Sequence, residues 1–249
     1  SNIIIVSCGN MTIYFNYFSD TMEIIPVIDI MNNIAVHGKS GDRDNYKPLK
    51  SVLCNSSNPA NIINTYKKNG AKKVYIADLD AIMENGNNFK CIKELDIYKI
   101  VDCGIKNKKD IQNLEKLNFC DKLIIGTETL DDLSILNNEN IILSLDYKDG
   151  KLLNYELDEI LNNIQDNTPL ILLDISSVGT QKGINTELIK EIKRKKKTTN
   201  PLYIGGGIKD ENDLIEAYNL NVDGVLIATA IHNGTLDLKE IIEKYKYSP

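Results

Sequence analysis

The chain has 249 residues, of which 42% are hydrophobic and 26% charged, and its net charge is −6. A chain of that length can bury roughly three quarters of its unfolded surface without staples, and the composition excludes a disordered or fibrous protein. The acidic balance argues against nucleic acid as a partner. No run reaches the eighteen or so apolar residues of a spanning helix, so no membrane role is expected.

Residues 1–21, SNIIIVSCGNMTIYFNYFSDT, come first. They lack a basic start and an uninterrupted apolar stretch, so they read as a leader or an added extension rather than a signal peptide. Residues 22–249 read as one domain. Eight short apolar runs follow in order: IIPVIDI (24–30), KVYIADLD (73–80), YKIVDCG (98–104), KLIIGTE (122–128), NIILSLD (140–146), PLILLDI (169–175), PLYIGGG (201–207) and GVLIATA (224–230). Continuous apolar runs suit strands buried on both faces of a parallel sheet. Helical patterns lie between them, such as PANIINTYKKNG, where Ile62, Ile63 and Tyr66 share a face and Gly70 marks the stop. Eight βα repeats predict an α/β chain folded as a closed (β/α)₈ TIM barrel. An open doubly wound sheet is the alternative, but its usual first-corner GxGxxG is missing.

The two halves echo each other. DCGIK (102–106) pairs with GGGIK (205–209), and IIGTET (124–129) with LIATAI (226–231), each about a hundred residues apart. Strands one and five both close on a carboxylate, Asp29 and Asp146. This pattern predicts a barrel built from two duplicated half-barrels. Strand ends of such a barrel face one mouth, where the βα loops build the site. Gly104, Gly126 and Thr127 would then form one cluster of small residues. Gly205, Gly206, Gly207, Ala228 and Thr229 would form another, roughly opposite. Glycine lets backbone N–H groups approach an anion, so two such corners suit a ligand with a phosphate at each end. Asp29 and Asp146, facing each other, could divide acid and base roles.

The loop HGKSGDRDNYKP (37–48) reads as a lid, with Arg43 as its phosphate or carboxylate clamp and His37 as a further ligand contact. KRKKK (193–197) reads as a solvated helix end. The five cysteines are scattered without CxxC spacing, and His37 and His232 are the only histidines. No metal site or disulfide framework is expected, and reduced thiols point to a cytoplasmic protein.

The motifs IIPVIDI, VYIADLDA, SLDYKDG, DISSVGTQKG, IGGGIK and ATAIHNG resemble the HisA/HisF family of histidine-biosynthesis barrels, from about Glu23 to Lys244. The resemblance implies a substrate with two phosphates and, in the HisA branch, an Amadori aldose–ketose rearrangement without cofactor. It makes Asp29 and Asp146 the acid–base pair. It places Thr180 against the substrate as a further catalytic residue, with Gly183 among the substrate- or phosphate-binding residues. It assigns the phosphates to Gly104 and Thr127, and to Gly206, Gly207, Ala228 and Thr229. Departures accompany the likeness. Asp102 stands where the family carries a strand-three glycine, which puts a carboxylate beside the first anion site. Ser177 and Val178 replace the usual Arg-Asp. His37 and Met31 replace lysines of the HisF branch, which weakens the cyclase reading and its glutaminase partner. GDRDNYKP, IADLDAI and VDCG are similar to the HisA/HisF-related proteins of methanogens and methylotrophs, associated with one-carbon coenzyme (methanopterin or methanofuran) biosynthesis. The leading expectation is a HisA-like isomerase of a phosphorylated aminosugar. The alternatives are a relative acting on another phosphorylated precursor, a cyclase, or a non-catalytic phosphate-binding barrel.

Overall fold

A computed structural model describes residues 2–8, 11–17, 21–39, 41–180 and 182–246. Asn2–Cys8 and Met11–Tyr17 pair antiparallel in a two-stranded sheet of their own. The eight expected runs all form strands: β1 (Glu23–Met31), β2 (Lys73–Asp78), β3 (Tyr98–Asp102), β4 (Lys122–Gly126), β5 (Ile141–Lys148), β6 (Leu170–Asp174), β7 (Leu202–Gly205) and β8 (Gly224–Ile227). Each pairs parallel with the next. β8 returns to β1 with Gly224 opposite Glu23 and Ile227 opposite Pro26, which closes the barrel. The open-sheet alternative is thereby excluded.

Side chains alternate across each strand, and that alternation sorts the chain into two cores. Ile24, Ile28 and Ile30 of β1 join the layer between strands and helices, as do Val74 and Ile76 of β2 and Leu143 and Leu145 of β5. Ile25, Tyr75, Ile100, Ile124, Ile171 and Leu226 fill the inside of the barrel. Counting by twos from the inward residues reaches Asp29 on β1, Asp102 on β3, Asp146 on β5 and Gly205 on β7. Alternate strands of a (β/α)₈ barrel contribute side chains to the same interior layer, so these four belong beneath one mouth.

The longer helices are α1 (Pro59–Lys68), α2 (Lys108–Leu117), α3 (Thr186–Lys195), α4 (Glu211–Asn219) and α5 (Leu238–Lys246). α1 begins on the Asn58 side chain, which accepts the Ala60 N–H, and buries Ile62, Ile63 and Tyr66. The basic run at the end of α3 is partly used in packing, because Lys193 donates to the carbonyls of Leu220 and Asn221. Among the described residues, no helix is long and apolar enough to cross a membrane.

The half-barrel echo has a geometric counterpart at α2 and α4. Asn107 and Asp210 are their N-caps, each accepting a backbone N–H of the first turn. Three residues on, Asp110 accepts the N–H of Lys106 at 2.9 Å and Asp213 accepts that of Lys209 at 2.9 Å. Each carboxylate reaches back over its helix start and fixes the loop leaving β3 or β7. Asp110→Ala and Asp213→Ala are each expected to lower stability by about 1–2 kcal/mol. Urea unfolding should show a lower midpoint at unchanged slope in both cases.

Candidate active site

Asp29, Asp102 and Asp146 line one cavity at the C-terminal mouth of the barrel, together with Gly205. Asp146 is 2% exposed. Its Oδ1 accepts from the Ser144 hydroxyl at 2.6 Å and its Oδ2 from the Glu128 N–H at 2.9 Å. Asp102 accepts from the Gly104 N–H at 3.1 Å through Oδ1, and from the Tyr75 hydroxyl at 3.4 Å through Oδ2. Burial raises the pKa of Asp29 to about 7; Arg43 opposes this and Asp102 adds to it. Burial, then the charge of Asp102, raises Asp146 to about 7 as well. Asp102 rises to about 6, chiefly by burial, against the Gly104 N–H that holds its charged form. The charge of Asp102 thus adds to the rise of both Asp29 and Asp146. Among the described residues, no three His, Cys, Asp or Glu side chains converge closely enough to hold a metal ion.

Two glycines make room for these carboxylates. A Cβ on Gly38 would lie 2.3 Å from Asp29 Oδ2, and one on Gly126 would lie 2.6 Å from Asp146 Oδ2 and 3.7 Å from Asp102 Oδ2. Gly126 therefore lies under the acid layer, with the carboxylates occupying the space a side chain would need. Gly38 belongs to the loop after β1, which runs over the mouth. A Cβ on Gly179 would meet the Gly38 carbonyl at 2.2 Å, so this loop is packed on the loop after β6. Farther along, Arg43 forms an ion pair with Glu128 at 2.7 Å, tying the loop after β1 to the loop after β4. Burial of both side chains, at 22% and 32% exposure, places this pair between a surface bridge and a core one.

The remaining expected residues divide. Gly206, Gly207, Ala228, Thr229, Arg43 and His37 line the cavity. Gly104, Gly126, Thr127, Thr180 and Gly183 are not part of its lining. Thr127 is fully buried and its hydroxyl accepts the N–H of Asp146 at 2.9 Å. Thr180 donates its hydroxyl to the Ser177 carbonyl at 2.8 Å, while Ser177, Val178 and Gly179 face the cavity from that loop. Gly183 donates its N–H to the Gly207 carbonyl at 3.0 Å. Gly206 and Gly207 have φ of +87° and +91°, and a Cβ on either would collide with a backbone carbonyl, Asp174 or Gly183, at 2.3 Å. These glycines are thus required by the close approach of the preceding loop, whatever the corner holds.

Sequence reasoning set Asp102 aside as an obstacle to an anion and did not place it with Asp29 and Asp146. The usable signal was parity, since Asp102 lies two residues beyond the inward Ile100. By the same parity Asp78 lies on the outer face, where its carboxylate accepts from Asn88 Nδ2 at 2.7 Å. Asn88 also donates to Asp80 at 2.8 Å, so this acidic pair braces the β1–β2 region. His232 faces the cavity but is committed to the wall. Its Nε2 lies 2.7 Å from the Tyr66 hydroxyl and its Nδ1 2.7 Å from Ser51 Oγ. Tyr66 donates to the Val27 carbonyl at 2.8 Å, so His232 carries its proton on Nε2 and accepts from Ser51. Burial, with His37 nearby, lowers its pKa to about 4, so it stays neutral.

A closed (β/α)₈ barrel with titratable carboxylates gathered at its C-terminal mouth is the class of protein that fold and site define. Residues 23–237 match the family described as Histidine biosynthesis protein. The chain belongs to this HisA/HisF family of barrels. An uncharacterized protein of Methanocaldococcus jannaschii is 60% identical over 226 residues, covering 90% of this chain and 99% of the relative. The same organism has a 1-(5-phosphoribosyl)-5-((5-phosphoribosylamino)methylideneamino)imidazole-4-carboxamide isomerase that is 31% identical over 245 residues, 90% of this chain and all of the relative. The isomerase of that name from Brachyspira hyodysenteriae is 28% identical over 89% of this chain.

The raised carboxylates make stability fall with pH. A carboxyl held at about 6 or 7 in the fold, against 3.8 when unperturbed, binds protons that the unfolded chain has lost. Its contribution is fully present below pH 3.8 and is lost as pH rises through 6 to 7. Asp102→Asn removes one of these charges. It is expected to melt several degrees above the parent at pH 8, with the gap shrinking at pH 5. Circular dichroism melts across that range measure it, and an equal gap at both ends would contradict the burial argument. Gly126→Ala should lower the melting temperature at both ends, because the methyl group displaces Asp146.

Proposed function

We propose that this protein is an aldose–ketose isomerase acting on a phosphorylated aminosugar, with Asp29 and Asp146 as its acid–base pair. The observation that carries the reading is the pair itself: two carboxylates on β1 and β5, lining one cavity, both raised by burial to about 7. An Amadori rearrangement needs only proton transfers. One carboxyl protonates the sugar-ring oxygen as the C1–O bond breaks, leaving a protonated imine at C1. The other, ionised, removes the proton from C2, and the resulting enaminol tautomerises to the aminoketose. Groups poised near the working pH suit both steps, each contributing on the order of 10²–10⁴ in rate. The loop carrying Gly38 and Arg43 covers Asp29, which keeps bulk water from the imine. Gly206, Gly207, Ala228 and Thr229 are the surface on which a substrate phosphate rests.

The family membership and the isomerases at 28–31% identity support this class of chemistry. A second reading, that the substrate is a phosphorylated precursor outside histidine synthesis, has its own support. One organism holds both the 31% isomerase and the 60% relative, so the latter stands beside a named isomerase rather than in place of one. Rescue of a bacterium lacking the histidine-pathway isomerase decides between them. Growth supports the histidine substrate; failure by a folded, well-expressed protein supports the second reading. Asp29→Asn and Asp146→Asn are each expected to cut turnover by about 10³-fold or more while leaving ligand affinity within a few-fold. Full activity in both variants would overturn the acid–base assignment.

A further inference from the structure

The two phosphate corners expected from the half-barrel echo are not equivalent. At β7 and β8, Gly206, Gly207, Ala228 and Thr229 all line the cavity. Their counterparts at β3 and β4 are Cys103, Gly104, Gly126 and Thr127, and none of them does. Three observations explain the difference. First, β7 ends inward on Gly205, which has no side chain, whereas β3 ends on Asp102, whose Oδ1 takes the Gly104 N–H at 3.1 Å. An amide spent on an internal carboxylate has nothing left to give an anion. Second, the backbones differ: Gly206 and Gly207 have φ of +87° and +91°, while at β3 Gly104 has φ of +73° and Cys103 stays out of the left-handed region. Third, the Thr127 hydroxyl is bound to the Asp146 amide and is fully buried.

Asp102 itself reaches the cavity, and at the β3 side it presents acceptor oxygens where the other half presents glycine. Its charge bears on Asp29 and Asp146, Glu128 and the Tyr75 hydroxyl stand beside it, and Arg43, which also acts on it, is paired with Glu128. A phosphate at this end would meet carboxylates, with the Gly104 and Glu128 amides already taken by them. A hydroxyl or amine would meet acceptors.

We propose that the cavity takes a substrate with a single phosphate, held at Gly206, Gly207 and Thr229, and that Asp102 selects a hydrogen-bond-donating, non-anionic group at the opposite end. The proposal rests on the phosphate corner of the preceding reading but not on its acid–base chemistry. It makes Asp102 a specificity-determining residue and sets this chain apart from relatives whose substrate name carries two phosphoribosyl groups.

The test is binding without turnover, by titration calorimetry with ribose 5-phosphate and ribulose 1,5-bisphosphate as probes. The parent protein is expected to bind the monophosphate at least about 10-fold more tightly than the bisphosphate. Asp102→Asn, which keeps the shape and removes the charge, should narrow that preference several-fold, chiefly by tightening the bisphosphate. Asp102→Gly, which also frees the Gly104 amide, should narrow it further. Circular dichroism confirms that each variant is folded. Equal or tighter binding of the bisphosphate by the parent would overturn the proposal, as would an unchanged preference in both folded variants. No binding of ribose 5-phosphate at millimolar concentration would overturn it too, by removing the phosphate corner on which it depends. Loss of turnover in the Asp29 and Asp146 variants leaves these titrations unaffected, so the two readings fail separately.

Discussion

Desolvation of acids is the constraint around which the rest of this barrel is arranged. Asp29, Asp102 and Asp146 stand on alternate strands of one interior layer, and burial raises all three toward neutrality. Buried ionisable groups persist only where neighbours hold them, and the surroundings here supply that support. Ser144, the amides of Glu128 and Gly104, and the Tyr75 hydroxyl each donate to one of them. Gly38 and Gly126 leave the volume that the carboxylates occupy. In the proposed isomerase that cost to the fold is the source of the chemistry, since a carboxyl that ionises near pH 7 can both give and take a proton.

Closure of the mouth follows from the same layer. The loop after β1 passes over Asp29 so closely that a Cβ at position 38 would lie 2.3 Å from its carboxylate, and the far side of the loop is held by the Arg43–Glu128 pair. Glu128 in turn gives its amide to Asp146. The loop, the ion pair and the β5 carboxylate thus form one connected set, and a movement of the loop is felt at both Asp29 and Asp146. The opposite wall is fixed in a different way. Tyr66, His232 and Ser51 bind α1, the turn after β8 and the loop near residue 51 into a neutral chain of hydrogen bonds.

Much of the fold was legible because it depends on periodicity. Eight apolar runs became eight strands, and their order required no long-range information beyond the βα rhythm. Asp29, Asp146 and Arg43 were legible for the same reason, being strand ends and a loop cation. Asp102 was harder to place: a sequence echo aligned it with glycine, and its role depends on which face of β3 it occupies. Thr127 and Gly126 looked like ligand-binding residues because small and hydroxylated side chains serve both ligands and tight packing. Only the partner of each, the Asp146 amide for one and the Asp146 carboxylate for the other, separates the two uses. Thr180 is a similar case, with its hydroxyl turned to Ser177.

The matched caps of α2 and α4 bear on how such a barrel changes. Asp110 and Asp213 hold their loops through bonds to Lys106 and Lys209, away from the strand ends at Asp102 and Gly205. Each corner is therefore braced independently of the residue at its strand end. Aspartate and glycine codons differ by a single base, so a corner of this design can exchange a glycine end for an acidic one in one mutational step. The frame that keeps the two halves alike is what leaves the chemistry of their strand ends free to diverge.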